Sequence, residues 1–186
     1  MTFERTNIDG VYMITPRVFE DNRGWFMETY KLPAFEAQGI HFSPVQENHS
    51  FSLPKGTLRG FHLQVGEFSQ AKLVRCVKGS VRDVAVDLRP DSPTYKQWVS
   101  VELSANNKRQ LFIPKGFAHA FLTLEDNTEF VYLVDAVYSP GHERSILWSD
   151  PEIGVDWGTA APIMAAKDLA APTLAESPYH FGDIPL

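Results

Sequence analysis

The sequence predicts an all-β fold, either a sandwich or a barrel, formed by one chain of 186 residues. Short runs rich in β-branched and aromatic residues recur about every ten residues through the middle of the chain. Glycine, proline, asparagine or aspartate separates these runs, which is typical of turns between short strands. Hydrophobic residues make up 44% of the chain, so it can bury a substantial core.

The N-terminal part predicts two strands, a short helix and an extended segment. Val11–Thr15 is the first predicted strand, and Trp25–Tyr30 is the second, after a turn at Asp21–Gly24. Pro33–Gly39 predicts a short helix, because proline stands in its first turn and glycine at its end. Pro44–Ser50 predicts an extended segment that is rich in amide and acid groups.

The central part predicts a run of strands that begins with Leu58–Gln64 and Ala71–Cys76. The strands expected after these are Ser80–Arg89, Lys96–Leu103, Gln110–Pro114, Ala118–Leu124 and Glu129–Ala136. From about residue 139 to residue 186 the strand pattern weakens and prolines recur, so we expect loops and a short helix near residues 163–171 over the barrel. Because no linker or repeat interrupts the chain, we expect residues 1–186 to form a single domain.

Two of these strands bring together side chains that suit proton transfer. Strand alternation places Leu58, Gly60, His62 and Gln64 on one face, and Lys72, Val74 and Cys76 on one face of the next strand. If the two faces meet, one site holds an imidazole that can take a proton and an ammonium that can stabilise an oxyanion. His62 could be a core histidine, a metal ligand or a general base, and this strand alone does not distinguish the three roles.

Charge and cysteine content exclude several classes of function. The formal net charge is −6 without a basic run, which argues against a nucleic-acid partner but leaves room for arginines that hold a diphosphate. No apolar run approaches the roughly 18 residues of a membrane span, and the N-terminus does not read as a signal peptide, so we expect a cytoplasmic protein. Cys76 is the only cysteine, which rules out an intrachain disulfide and favours a buried structural thiol.

The segment from Pro114 to His119, Pro-x-Gly-x-x-His, resembles the second motif of the cupin family, whose fold is a double-stranded β-helix, or jelly roll. In metal-binding cupins this histidine joins a His-x-His pair and a glutamate from the first motif. Here that stretch begins at His62, and Gln64 stands where the second histidine would be. A neutral amide is a poor ligand for a divalent first-row metal, so we expect no metal.

A longer series of motifs, from about residue 5 to about residue 173, resembles the dTDP-4-dehydrorhamnose 3,5-epimerase family. The motifs occur in the order Asp21-x-Arg23-Gly24-x-Phe26-x-Glu28, Gln46-x-Asn48-x-Ser50, Leu58-Arg59-Gly60-x-His62-x-Gln64, Lys72-Leu73-Val74, Asp83-Val-Ala-Val-Asp87, Ile113-Pro114-x-Gly116-Phe117-Ala118-His119, Tyr132, Tyr138-x-Pro140-x-x-Glu143 and Ile146-x-Trp148-x-Asp150. One departure is Ala120, where the family commonly has glycine, and this is a minor steric change.

The resemblance implies a jelly roll with short peripheral helices and a cofactor-free isomerase. The implied enzyme inverts C3 and C5 of dTDP-4-dehydro-6-deoxy-D-glucose and gives dTDP-4-dehydro-L-rhamnose. His62 would be the general base, Tyr132 the general acid on the opposite sugar face, Asp168 the partner that fixes the tautomer of His62, and Lys72 the group that stabilises the enolate oxygen at C4. Both carbons flank the C4 ketone, so one base and one oxyanion stabiliser can serve both inversions.

The resemblance also implies the ligand contacts and the assembly. Tyr138 would stack on the thymine ring, and the expected partner is a dTDP-linked 4-keto-6-deoxy sugar. The other positions expected to contact substrate are Arg23, Phe26, Glu28, Gln46, Glu47, Asn48, Arg59, His119, Glu143 and Lys167. A homodimer is expected in which N-terminal strands pair with the partner's sheet, since pairing removes an unprotected strand edge.

Other functions and other roles for single residues stay open on the sequence. The alternatives are an epimerase that acts on one carbon or on another nucleotide-linked 4-keto sugar, a non-catalytic sugar-nucleotide-binding cupin, and a metal-dependent cupin. Arg23 and Arg59 could each form only a surface ion pair, and Tyr132 could be a core tyrosine. Asp83 and Asp87 fit a catalytic role and a supporting role beside a buried histidine or arginine equally well.

Overall fold

Two antiparallel sheets face each other in the computed structural model, which describes residues 1–177. The strands are β1 (Thr2–Arg5), β2 (Tyr12–Thr15), β3 (Val18–Asp21), β4 (Gly24–Met27), β5 (Gln46–Ser52), β6 (Leu58–Gln64), β7 (Lys72–Lys78), β8 (Ser80–Asp87), β9 (Trp98–Ser104), β10 (Gln110–Ile113), β11 (Phe117–Thr123), β12 (Thr128–Val134) and β13 (Glu143–Ser145). The α-helices are α1 (Leu32–Glu36) and α2 (Ala166–Leu169), and single 3-10 turns occupy Gly66–Phe68 and Pro140–His142. The predicted all-β jelly roll with short peripheral helices is confirmed.

The order of strands brings distant parts of the chain together. One sheet has the order β1-β2-β10-β7-β12-β5, the other has the order β13-β6-β11-β8-β9, and β3 pairs with β4 as a separate hairpin. Strands β6 and β7 therefore lie in different sheets although they are neighbours in the sequence. Their inner faces meet across the space between the sheets, as the site hypothesis required.

Three apolar clusters hold the layers in place. The cluster between the sheets includes Val74, Leu111 and Phe121, all well buried. A second cluster packs α1 and the chain after it against the outer face of the six-stranded sheet, through Phe35. A third covers the outer face of the five-stranded sheet with the C-terminal segment, through Trp157. Each sheet thus buries both faces, which explains why its central strands are apolar on both sides.

Alternation along β7 follows the prediction. Val74 and Cys76 belong to the cluster between the sheets, whereas Leu73 packs on the outer cluster. Burial raises the pKa of the Cys76 thiol to about 11, as expected for a structural cysteine. Lys72 lies on the same inner face as Val74 and reaches the cavity described below.

Alternation along β6 does not follow the prediction, because the strand contains a bulge. His62 pairs with His119, but Arg59 pairs with Phe121, so β6 carries one residue more than β11 between these pairs. Leu58 consequently lies in the outer cluster, and the expectation that it shares a face with His62 is wrong. Arg59 shares the inner side with His62 instead.

Gly60 permits this bulge. Its φ is +121°, and an added Cβ would lie 2.6 Å from both the Ala120 Cβ and the His119 carbonyl oxygen. The backbone of β6 therefore approaches β11 so closely that no side chain fits at position 60. Ala120, the one departure from the family pattern, occupies the space that the missing side chain leaves.

Three strands were not predicted, and each is short or weakly apolar. The strands β1 (Thr2–Arg5) and β3 (Val18–Asp21) are mostly exposed, and β13 (Glu143–Ser145) has only three residues. Their sequences carry little alternation, so pairing with a neighbouring strand decides their structure. The strand predicted at Trp25–Tyr30 is shorter, since β4 ends at Met27.

The C-terminal segment contains the 3-10 turn at Pro140–His142, β13 and α2 within otherwise irregular chain. The helix predicted near 163–171 is Ala166–Leu169, which is shorter than expected. The assignment of all 186 residues to one domain stays a prediction, and residues 178–186 lie outside the described part. Within residues 1–177, none of the helices is long and apolar enough to cross a membrane.

Candidate active site

A cavity of about 290 Å³ lies between the two sheets, where β5, β6, β7, β11 and β12 converge with the C-terminal segment. Most of the side chains predicted from the sequence line it. They are His62, Lys72, Tyr132, Asp168, Gln46, Asn48, Arg59, His119, Tyr138, Glu143 and Lys167. The cavity therefore gathers residues that are more than 100 positions apart in the chain, such as His62 and Asp168.

His62 and Asp168 form a hydrogen-bonded pair at this cavity. His62 Nε2 lies 2.8 Å from Asp168 Oδ1, and Asp168 is only 3% exposed. Burial acts to raise the pKa of Asp168, but hydrogen bonds from His62 and the Gly60 N–H more than offset it, so the pKa lies below its usual value. An ionised carboxylate only accepts hydrogen bonds, so Nε2 carries the proton and Nδ1 is free to act as a base.

Lys72 presents an ammonium group from the opposite sheet. The residue is 8% exposed, and burial lowers the pKa of its ammonium to about 8, although the carboxylates of Asp83 and Glu143 act to raise it. Its Nζ lies 6.0 Å from the centroid of the Tyr132 ring. A buried cation that lines a cavity is suited to stabilise an anion that forms there.

Tyr132 stands on β12, beside β7, and faces the five-stranded sheet across the cavity. Burial raises the pKa of its hydroxyl, and the positive charge of Arg59 offsets this only in part. The hydroxyl therefore keeps its proton at neutral pH and can donate it. Because His62 and Tyr132 come from different sheets, they approach a ligand in the cavity from two sides.

His119 belongs to a second histidine–carboxylate pair. The Nε2 atom of His119 lies 2.8 Å from Oδ2 of Asp83, which is fully buried. His119 is also the cross-strand partner of His62. Asp87 instead accepts hydrogen bonds from Arg89 at 2.9 and 2.7 Å, away from the cavity. Of the two roles left open for these aspartates, the geometry favours the structural one. Asp83 is hydrogen-bonded to a histidine, and Asp87 accepts hydrogen bonds from an arginine.

Charged and aromatic groups form the mouth of the cavity. The Arg59 guanidinium donates to Ser52 Oγ at 3.2 Å and to the Phe51 carbonyl oxygen at 3.1 Å, which holds it against β5. The Tyr138 hydroxyl donates to Glu143 Oε2 at 3.2 Å. The remaining mouth residue, Lys167, also reaches Glu143 Oε2, at 3.5 Å.

Gln46 and Asn48 are oriented by a chain of hydrogen bonds. Gln46 Oε1 accepts from the Tyr138 N–H at 2.9 Å, so its NH₂ group must point the other way. That NH₂ group donates to Asn48 Oδ1 at 2.8 Å. The NH₂ group of Asn48 is then the end of the chain that can donate to a ligand.

Four predicted contact residues lie away from this cavity. Arg23 and Phe26 are on the β3–β4 hairpin and line a separate surface depression, where Arg23 pairs with Asp21 at 2.6 Å. Glu28 forms an exposed pair with Lys31 at 3.7 Å, and Glu47 is exposed on β5. A single subunit therefore does not bring these four side chains to His62.

The cavity also contains residues that the sequence analysis did not assign. Ser50, Gln70 and Phe121 line it. Alternation along the predicted segment from Gln46 to Ser50 could have identified Ser50, and the same alternation from His119 could have identified Phe121. Gln70 lies between elements, and its position depends on tertiary contacts.

The described residues lack the cluster of side chains that a metal-binding site needs. Within residues 1–177, no group of three or more histidine, cysteine, aspartate or glutamate side chains is arranged to hold one. At the place of the second histidine of metal-binding cupins, Gln64 Oε1 accepts a hydrogen bond from the Ser139 N–H at 3.0 Å. One lone pair of its oxygen is therefore used by this hydrogen bond, and the absence of a metal stays a prediction.

Comparison with known proteins agrees with the geometry. A family model described as dTDP-4-dehydrorhamnose 3,5-epimerase matches residues 5–176. The curated enzyme of that name from Salmonella typhimurium is 51% identical over 175 residues, which are 93% of this chain and 95% of the relative. Solved structures of similar enzymes include some with ligands bound.

The dTDP-4-dehydrorhamnose 3,5-epimerase of Bacillus anthracis, solved with TDP and PPi bound, has a TM-score of 0.90 and 44% identity, and the match covers 93% of this chain and 99% of that one. The dTDP-6-deoxy-D-glucose-3,5-epimerase of Legionella pneumophila, solved in complex with dTDP-4-keto-L-rhamnose, has a TM-score of 0.89 and 42% identity over 94% of this chain and 93% of that one. With the sequence, the fold and the cavity in agreement, this chain belongs to the dTDP-4-dehydrorhamnose 3,5-epimerase family.

Proposed function

We propose that the cavity inverts C3 and C5 of dTDP-4-dehydro-6-deoxy-D-glucose through His62 and Tyr132. The activity itself follows from the family and from relatives of about 50% identity over nearly the whole length: the chain is an isomerase, a 3,5-epimerase of dTDP-L-rhamnose biosynthesis. The observation that carries the residue assignment is the placement of a paired imidazole and a protonated phenol on opposite walls of one cavity.

Each step uses a group already in place. Nδ1 of His62 removes the proton from the carbon next to the C4 ketone, and Asp168 stabilises the imidazolium that results. The Lys72 ammonium stabilises the enolate oxygen. The Tyr132 hydroxyl then donates a proton to the other face of the same carbon, so the carbon is inverted without any change in oxidation state. No cofactor is needed for this chemistry.

Deuterium incorporation tests the two roles separately. In deuterium oxide, His62→Asn should abolish both inversion and exchange at C3 and C5, because asparagine cannot accept the proton. Tyr132→Phe keeps the base and the ammonium, so the carbanion still forms. His62 returns deuterium to the same face after the proton on its imidazolium has exchanged with solvent. Exchange should then proceed with retained configuration, while inverted product falls by about 10²–10⁴-fold.

NMR of the sugar protons distinguishes the alternatives. A Tyr132→Phe enzyme that inverts C5 at the normal rate would show that another residue is the acid. Exchange at only one carbon in the unaltered enzyme would indicate a single-carbon epimerase, and dTDP binding without any exchange would indicate a non-catalytic sugar-nucleotide-binding cupin. A chelator that abolishes exchange would favour a metal-dependent cupin.

We also propose that the enzyme is a cytoplasmic homodimer in which each hairpin completes the partner's site. The β3–β4 hairpin exposes Phe19, Trp25 and Phe26, which are 47%, 56% and 66% exposed. It also carries Arg23, a predicted contact that its own cavity does not use. Within residues 1–177, β2 is paired on both sides and β1 is an edge of the six-stranded sheet, so β1 is the N-terminal strand available for the expected pairing with the partner's sheet.

Mixed dimers test this assembly. Light scattering of the unaltered enzyme should give twice the monomer mass at micromolar protein. Co-expressed Arg23→Ala and His62→Asn chains, each inactive alone, should regain up to about a quarter of normal activity, since half of the dimers then contain one intact site. A monomer mass, or no recovery in stable mixed dimers, would contradict the proposal.

A further inference from the structure

The segment that carries Tyr138 is anchored by glutamine side chains. This segment, residues 135–139, follows β12 and is called the mouth loop below. Gln64 Oε1 accepts from the Ser139 N–H at 3.0 Å, and Gln46 Oε1 accepts from the Tyr138 N–H at 2.9 Å. The two glutamines come from different sheets, so the loop bridges the walls of the cavity.

The start of the mouth loop is anchored as well. Gln70 Nε2 donates to the Ala136 carbonyl oxygen at 2.8 Å, and the Ala71 N–H donates to Asp135 Oδ1 at 2.8 Å. The loop is therefore tied through its backbone at three positions and through one of its side chains. Together these four hydrogen bonds restrict the conformations of the backbone that carries Tyr138.

The side chain of Tyr138 depends on this backbone for its place. It is 48% exposed, and its hydroxyl donates to Glu143 Oε2 at 3.2 Å, which is longer than the usual range of about 2.5–3.0 Å for such a bond. Gln64, in contrast, is only 6% exposed and stands on β6 two residues after His62. The site that holds a metal-binding histidine in other cupins thus holds the anchor of a loop here.

We propose that Gln64 is a positioning residue, which holds the mouth loop so that the Tyr138 ring is ready to stack on the base of the nucleotide. This inference rests on the proposed function, which assigns the stacking to Tyr138. Without the anchor the loop samples other arrangements, and only the fraction that places the ring correctly binds at full strength. Loss of one such hydrogen bond corresponds to about a fivefold loss of affinity.

A double-mutant cycle on dTDP binding, measured by calorimetry, tests the inference. Gln64→Met removes the acceptor at nearly constant size and should raise the Kd for dTDP about fivefold. Tyr138→Ala should raise it about 5- to 150-fold, the range for loss of one base–aromatic stack. The double variant should bind no more weakly than Tyr138→Ala, because an anchor has no effect once the ring is gone.

Two further variants keep the test decisive. Gln97→Met makes the same change at an exposed position beside β9, at the opposite edge of the five-stranded sheet from β13, and should leave the Kd unchanged. Gln70→Met, which loosens the other end of the loop, should repeat the non-additive result if Gln64→Met does not fold. Additive losses of dTDP affinity in the double variant, or a normal Kd for Gln64→Met, would refute the role of Gln64 but leave the stacking role of Tyr138 intact. A normal Kd for Tyr138→Ala would refute the stacking role and the inference with it.

Discussion

The alkaline limb of the pH profile should report the charge of Lys72. The pKa of Lys72 is about 8, because burial disfavours its ammonium form. A lysine is charged below its pKa, so the ammonium is present at pH 7 and is lost as the pH rises through 8. At pH 9 only about one tenth of the molecules keep the charge, if one proton is involved. We therefore expect kcat/KM at pH 9 to be about tenfold lower than at pH 7.

Removal of the ammonium should also lower the rate at neutral pH. Lys72→Met keeps a long apolar side chain but no charge, and loss of one oxyanion stabiliser costs about 10²–10³-fold in rate. The residual activity of this variant should lack the decline near pH 8. Lys55→Met, at an exposed position outside the cavity, should keep both the rate and the decline.

The assay is deuterium exchange at C3 and C5 between pH 6.5 and 9.5, with the enzyme-free rate subtracted at each pH. A profile that stays level to pH 9.5 would refute the idea that a charged Lys72 is needed. An unchanged alkaline decline in Lys72→Met would show that a different group titrates. Cys76 is no competitor for this limb, since burial raises the pKa of its thiol to about 11.

Two further predictions follow from the cavity mouth and from the bulge. Arg59→Ala should weaken dTDP binding by about 1.5–3 kcal/mol if the guanidinium grips the diphosphate, and an unchanged Kd by calorimetry would remove Arg59 from the site. Gly60→Ala should lower the free energy of unfolding in urea by about 2 kcal/mol more than Gly39→Ala, because a Cβ at position 60 meets atoms at 2.6 Å whereas one at position 39 meets none within 4 Å. Equal losses for the two variants would mean that β6 shifts freely to make room.

Local strand patterns in the sequence predicted the architecture, and the resemblance to the family predicted most of the cavity lining. Strands with strong alternation, such as β7, appear where expected, and motifs in fixed order carry the residues at the cavity. The strand β13 was missed because its three residues are stabilised by pairing with β6 rather than by their own pattern. The exposed positions of Arg23 and Glu47, away from the cavity, could not be derived, since nothing local to them specifies their distance from His62.

The bulge in β6 shows how little separates a functional strand from an inert one. Arg59 and His62 are three residues apart, so they would point to opposite faces if β6 paired with β11 without the bulge. Either the base or the guanidinium would then leave the cavity, although every residue of the motif stayed the same. In a sheet of this kind the pairing register of two side chains is as much a determinant of activity as their identity. A substitution of Gly60 that removes the bulge is therefore expected to separate the two functions, whereas the same substitution at Gly56, in the loop before β6, need not.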